Sequence, residues 1–145
     1  NCDVFDDKEK IINPHNYCLP VAKRGIDRIA VIKAVFSGDE RFFFGADSAP
    51  RLKIAKDSEN PPAGVFFGSA EIPLVYRIFE EVGASNRFED FTSKFGAEYY
   101  GYPLNKETIT LAQEEWESPI MENGIQFCKG GDKYRWKIAE DKKER

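Results

Sequence analysis

Between Arg41 and Arg51 the chain reads Arg-Phe-Phe-Phe-Gly-Ala-Asp-Ser-Ala-Pro-Arg, and no other stretch constrains the fold as tightly. Three consecutive aromatic residues, Phe42 to Phe44, are cut off by Gly45. An apolar run this short, aromatic and glycine-bounded fits a buried strand and is too brief for a helix. One carboxylate, Asp47, follows the run, and Ser48, Ala49 and the turn-setting Pro50 follow it in turn. The carboxyl ends of parallel strands are where α/β barrels carry their catalytic groups. Asp and Ser also cap turns by bonding their own backbone, so spacing alone leaves both roles open for Asp47.

The residues before this stretch supply its context. Gly25–Ser37 has helical spacing, with Ile26, Ile29, Ala30 and Phe36 on one face and Asp27, Arg28 and Lys33 largely elsewhere. Gly38 stands where a C-terminal cap is expected. Helix, short turn and buried strand in that order form the second half of a βαβ unit, which makes the fold class α/β. Upstream, residues 1–14 are polar and turn-rich, and Pro14 and Pro20 bracket an ordered loop. His15, the sole histidine, has no visible partner there, and a structural hydrogen bond is its expected role.

Beyond Pro50 the chain is irregular from Arg51 to Gly68, with Pro61-Pro62-Ala63-Gly64 at its middle. Loops longer than about 12–15 residues in a compact domain are usually functional or disordered. Val65-Phe66-Phe67 is unlike a disordered linker, so this loop is expected to fold over the strand end. A second helix is expected from an N-cap at Ser69 to Gly83, with Ile72, Val75, Tyr76, Phe79 and Val82 forming its inner stripe. Pro73 is tolerated only in its first turn. A third, Asn86–Phe95, turns Phe88, Phe91 and Phe95 inward and stops at Gly96. Alternation around Ile109 and Leu111, and again through Tyr134, Trp136 and Ile138, reads as two strands, with Gly130-Gly131-Asp132 as the turn before the second. Ala139–Arg145 is mostly charged and expected to fray.

Several function classes are disfavoured. A net charge of −4 with dispersed basic residues argues against a nucleic-acid surface. No apolar run approaches the roughly 18 residues of a membrane helix, and no secretory signal is expected. Cys2, Cys18 and Cys128 are sparse and unpatterned, which suits thiols in a reducing cytoplasm and matches no zinc-ligand spacing. The start at Asn1 leads us to expect a piece of something longer.

Gly45-Ala46-Asp47-Ser48-Ala49-Pro50, taken with Tyr17-Cys18-Leu19-Pro20 upstream, resembles the C-terminal part of the single-function, bacterial and fungal type dihydroorotases of the amidohydrolase superfamily. Pro14-His15, Lys23-Arg24, Ala63-Gly64, Phe79-Glu80-Glu81 and Tyr100-Gly101-Tyr102-Pro103 extend the resemblance from about Pro14 to the end. It implies a (β/α)8 barrel, with residues 1–98 as its last two β/α units and 99–145 as a C-terminal extension packing on it. A whole barrel takes about 250 residues, more than this chain has. It further implies reversible interconversion of L-dihydroorotate and N-carbamoyl-L-aspartate in pyrimidine synthesis.

The resemblance assigns roles as well. Asp47 matches an aspartate that ligates one of two zinc ions and carries the proton from the attacking hydroxide to the departing amide nitrogen. Leu19 and Ala63 match positions whose main-chain groups hold the substrate ring. Arg51 stands where the family has histidine against the substrate carboxylate; arginine keeps the charge and offers a bidentate fork. The family's histidine ligands and carboxylated lysine have no counterpart here, and His15 does not match one. The 145 residues alone are therefore expected to be inactive. Two readings follow: an enzyme as the full-length parent, or a non-catalytic, truncated or degenerate homologue without the metal site. Another cyclic amidohydrolase with a different ring is a third, which the Tyr-Cys-Leu-Pro loop argues against. A homodimer is implied by resemblance alone.

Overall fold

A computed structural model describes residues 4–7, 9–22 and 24–139; Cys2 and residues 140–145, where fraying is expected, lie outside them. The first regular helix, α1 (Gly25–Val35), begins where Asp27 reaches back to accept the Arg24 N–H at 3.1 Å. The apolar stripe expected on α1 is not a core face. Ile26 and Ile29 are 71% and 54% exposed, and α1 buries no residue. Helical spacing reports which residues share a side, and among the described residues nothing closes over that side. Only the end of the segment turns inward, with Phe36 set edge-on against Phe79 at 4.7 Å.

The strand expected through Phe42–Phe44 is likewise corrected. No ladder forms along it among the described residues, and the Phe44 N–H donates to Phe91 O at 2.9 Å instead. A strand needs a neighbouring backbone to satisfy its polar groups. Without one, the rings pack on helices: Phe43 meets Tyr99 and Tyr100, Phe44 meets Phe91, and Phe42 is 41% exposed.

The long loop folds back as expected and contains one helical turn, α2 (Lys53–Lys56). It is tied to the 49–51 segment through Ala49 N–H to Val65 O, to the upstream loop through Gly64 N–H to Tyr17 O, and to the tail through Cys128 N–H to Phe66 O. Helix α3 (Glu71–Val82) is entered through a 3-10 turn, Gly68–Ala70. Ser69 is therefore no side-chain cap, and the residue at the cap position is Ala70. Pro73 sits in the first turn, where its missing N–H costs no helical bond, and Gly83 ends the helix at φ +74.

The third helix overruns its expected stop. A 3-10 turn (Ser85–Arg87) and a π-helical turn (Asp90–Lys94) lead into α4 (Phe95–Tyr100), and Gly101 at φ +69 is the cap. Gly96 lies inside α4, where a Cβ would come within 3.2 Å of the Phe43 ring. That glycine serves close packing, not termination.

The tail forms β1 (Leu111–Glu117), a short hairpin of β2 (Met121–Glu122) and β3 (Ile125–Gln126), and β4 (Lys133–Ile138). β1 pairs antiparallel with β4, with an irregularity between Gln113 and Trp116. Ile109 precedes the strand and is exposed, so the first strand starts later than its alternation predicts. β4 lies on α3: the Trp136 ring stands edge-on to Tyr76 at 5.1 Å, and its Nε1–H donates to Glu80 Oε2 at 3.0 Å. Phe79, Phe127 and Tyr134 mark the buried centre.

Candidate functional site

Three loops meet beside α2: residues 15–20, 45–51 and 61–66. Lys56 joins two of them. Its side chain is only 3% exposed, and its ammonium donates to Tyr17 O, Pro62 O and Gly64 O at 3.0, 3.0 and 2.9 Å. The Tyr17 ring lies 5.7 Å from the same nitrogen. Burial pushes the Lys56 pKa below the usual lysine value, while the three carbonyl dipoles favour the charged form. α2 is itself anchored. The Lys53 N–H donates to Gly124 O at 2.7 Å, and Asp57, at its end, accepts from Lys53 Nζ and from His15 Nε2 at 2.8 Å. Those two bonds, Lys53 first, hold the Asp57 carboxyl below the usual carboxylate range. His15 is thus a structural partner here, as its isolation in the sequence suggests.

The structure brings two of the sequence-assigned residues into contact. Arg51 Nε donates to Ala63 O at 3.1 Å. Neighbouring Gly64 has φ +137, and a Cβ there would lie 2.6 Å from Ala49 O, so only glycine permits this approach. Leu19 is 60% exposed, two residues past the Tyr17 carbonyl that Lys56 holds. Among the described residues, no acceptor takes the N–H of Leu19 or of Ala63.

Asp47 is exposed and sits at φ +45, a left-handed conformation that Asp tolerates better than most residues. Its carboxylate takes no hydrogen bond from the following turn among the described residues, so the capping role is not the one adopted. No hydrogen bond or ion pair links it to Leu19, Arg51 or Ala63 there. The described residues also do not fit a metal centre by themselves. Asp47 is one carboxylate, and no group of three or more His, Cys, Asp or Glu is gathered among them. No helix there is long and apolar enough to cross a membrane.

Lys56 is the residue sequence reasoning missed. In the Lys-Ile-Ala-Lys turn it reads as one more solvated charge. The available signal was the neighbouring Pro61-Pro62, whose residues lack N–H groups and leave carbonyls that an outside donor must meet.

Helices packed with short strands make this a small α/β unit, and the known proteins it is similar to are dihydroorotases. No family model matches the sequence. The chain is 41% identical over 132 residues to a dihydroorotase of Laribacter hongkongensis, covering 88% of this chain and 38% of the relative. It is 44% identical over 112 residues to the mitochondrial dihydroorotase of Arabidopsis thaliana, covering 77% and 30%. The Saccharomyces cerevisiae dihydroorotase solved in complex with 5-fluoroorotic acid superposes with a TM-score of 0.81 at 36% identity, over 88% of this chain and 38% of that one. The Campylobacter jejuni dihydroorotase gives 0.76 at 28% identity. The chain is a homologue of the dihydroorotases, over their C-terminal-like region. It spans 38% of the length of the Laribacter relative.

Proposed function

We propose that this chain is the C-terminal portion of a dihydroorotase, with residues 1–98 as the last two β/α units of a (β/α)8 barrel and 99–145 as an extension packed on it. The observation that carries the reading is a TM-score of 0.81 at 36% identity to a dihydroorotase over 88% of the chain. The uncovered side of α1 and the unpaired Phe42–Phe44 segment support it, since both are surfaces that further barrel units would cover.

In this reading the complete enzyme interconverts L-dihydroorotate and N-carbamoyl-L-aspartate. Water oxygen bonds to a ring carbonyl carbon, the C–N bond breaks, and the proton shed by water ends on the departing nitrogen. Asp47 carries that proton, because an exposed carboxylate with no protein donor is free to accept and return it. The N–H groups of Leu19 and Ala63 read the ring's polar edge, and Arg51 takes the substrate carboxylate. Zinc belongs to the reading as well, with Asp47 as one ligand and the others from outside the described residues. A cytoplasmic homodimer completes it.

The test is the complete protein containing this chain, assayed in both directions, beside its Asp47→Asn variant. The amide cannot accept the proton, so turnover is expected to fall by well over tenfold with the fold retained. A variant keeping more than about a tenth of the rate, a loss under about 1.4 kcal/mol, removes Asp47 as the proton carrier.

A further inference from the structure

We infer that Lys56 is a positioning residue: its buried ammonium sets the main chain of Tyr17–Leu19 and of Ala63 in the register that binds the substrate ring. The inference rests on the dihydroorotase reading above and extends it to a residue that touches no substrate.

The geometry is specific. A lysine ammonium has three N–H donors, and here each meets a carbonyl, one from the upstream loop and two from the Pro-Pro-Ala-Gly loop. Pro62 and Gly64 flank Ala63, so the carbonyls of the residues on both sides of the ring-reading residue are held from one point. Arg51 holds the intervening Ala63 carbonyl. Three successive carbonyls are thereby bound by cationic side chains, which leaves the Ala63 N–H as that residue's remaining polar group. The Gly64 N–H also donates to Tyr17 O at 3.0 Å, so the same carbonyl that Lys56 holds links the two loops.

A neutral side chain cannot do this. The loop's two prolines supply no N–H of their own, and three carbonyl oxygens converging on one point repel one another unless a multi-donor cation sits between them. Lys56 is also placed firmly enough to act as a reference, because its helical turn is pinned by the Asp57 contacts to His15 and Lys53 and by Gly124.

The experiment uses the complete enzyme and compares wild type, Lys56→Met and Lys56→Arg. KM and kcat for dihydroorotate are measured, with the Kd of 5-fluoroorotate and thermal melting alongside. Methionine keeps the length and loses every donor, and KM and Kd are expected to rise ten- to a hundredfold. Because Lys56 does not touch Asp47, kcat per active site should stay within about threefold. Arginine keeps the charge but donates in a planar fork that cannot meet three converging carbonyls. Its KM should fall between the other two.

A merely structural lysine would lower melting temperature and active fraction at unchanged KM. A KM within twofold of wild type in folded Lys56→Met overturns the inference. If that variant does not fold, an unchanged KM in Lys56→Arg does so. A wild-type enzyme that never turns over dihydroorotate overturns the functional reading beneath it. An active wild type with an indifferent Lys56 overturns the positioning role alone.

Discussion

Arg51 has two demands on one side chain. Its Nε–H is engaged by Ala63 O, so any carboxylate it takes must be met by the remaining guanidinium N–H groups. If Arg51 takes the substrate carboxylate as proposed, Arg51→Ala removes both that contact and the donor to a loop carbonyl. Charge-assisted hydrogen bonds contribute about 1.5–3 kcal/mol each, which corresponds to roughly a ten- to hundredfold rise in KM in the complete enzyme. Arg51→His, the residue that the dihydroorotase resemblance implies there, should recover at least the activity of arginine. Identical kinetics for all three would put Arg51 outside the site. At this scale the motif strings were legible, and the structure joins two of the residues they single out, Arg51 and Ala63. Lys56 was not legible, because burial of a lone lysine depends on where distant carbonyls converge, and nothing local to Lys53–Lys56 records that.

Among the elements, those with strong local punctuation were read well. α3 carries an apolar stripe that buries Phe79 but leaves Val82, expected inward, 52% exposed past the last packed turn. Its proline is confined to its first turn and a glycine stands at its end. Gly96 misled because a glycine can serve packing as well as termination, and only the Phe43 ring beside it distinguishes the two. The Phe42–Phe44 strand failed for another reason: strand character is a relation between segments, and no described residue offers the partner. Gly64 is where an element-scale change should reach function. A Gly64→Ala side chain would meet Ala49 O at 2.6 Å on a backbone that L-residues rarely adopt. Strain of this kind is on the order of 1–3 kcal/mol. Either the denaturant midpoint falls accordingly, or the loop moves, takes Ala63 with it and raises KM. A variant with both quantities unchanged would mean that the loop is softer than its contacts imply.

At the scale of the whole molecule, the question is what this much chain can stabilise by itself. Its tightly packed residues gather where α3 meets β4 and the 66–68 segment, while Ile26, Ile29, Val31 and Ile54 remain largely in water. The sheets have two strands each, an arrangement that is marginal without further cover. Phe42 to Phe44 present backbone groups that no ladder satisfies among the described residues. The 145-residue chain expressed alone is therefore expected to melt over a broad, shallow range and to show no dihydroorotate turnover. It should also bind a hydrophobic dye strongly, through the apolar side of α1. In the complete protein those same surfaces should be covered, giving one sharp transition and little dye binding. A sharp, two-state melt of the isolated chain as a monomer would sink this expectation. It would mean that the α3–β4 core suffices, and that the exposed stripe on α1 is an ordinary surface and not the seat of missing barrel units.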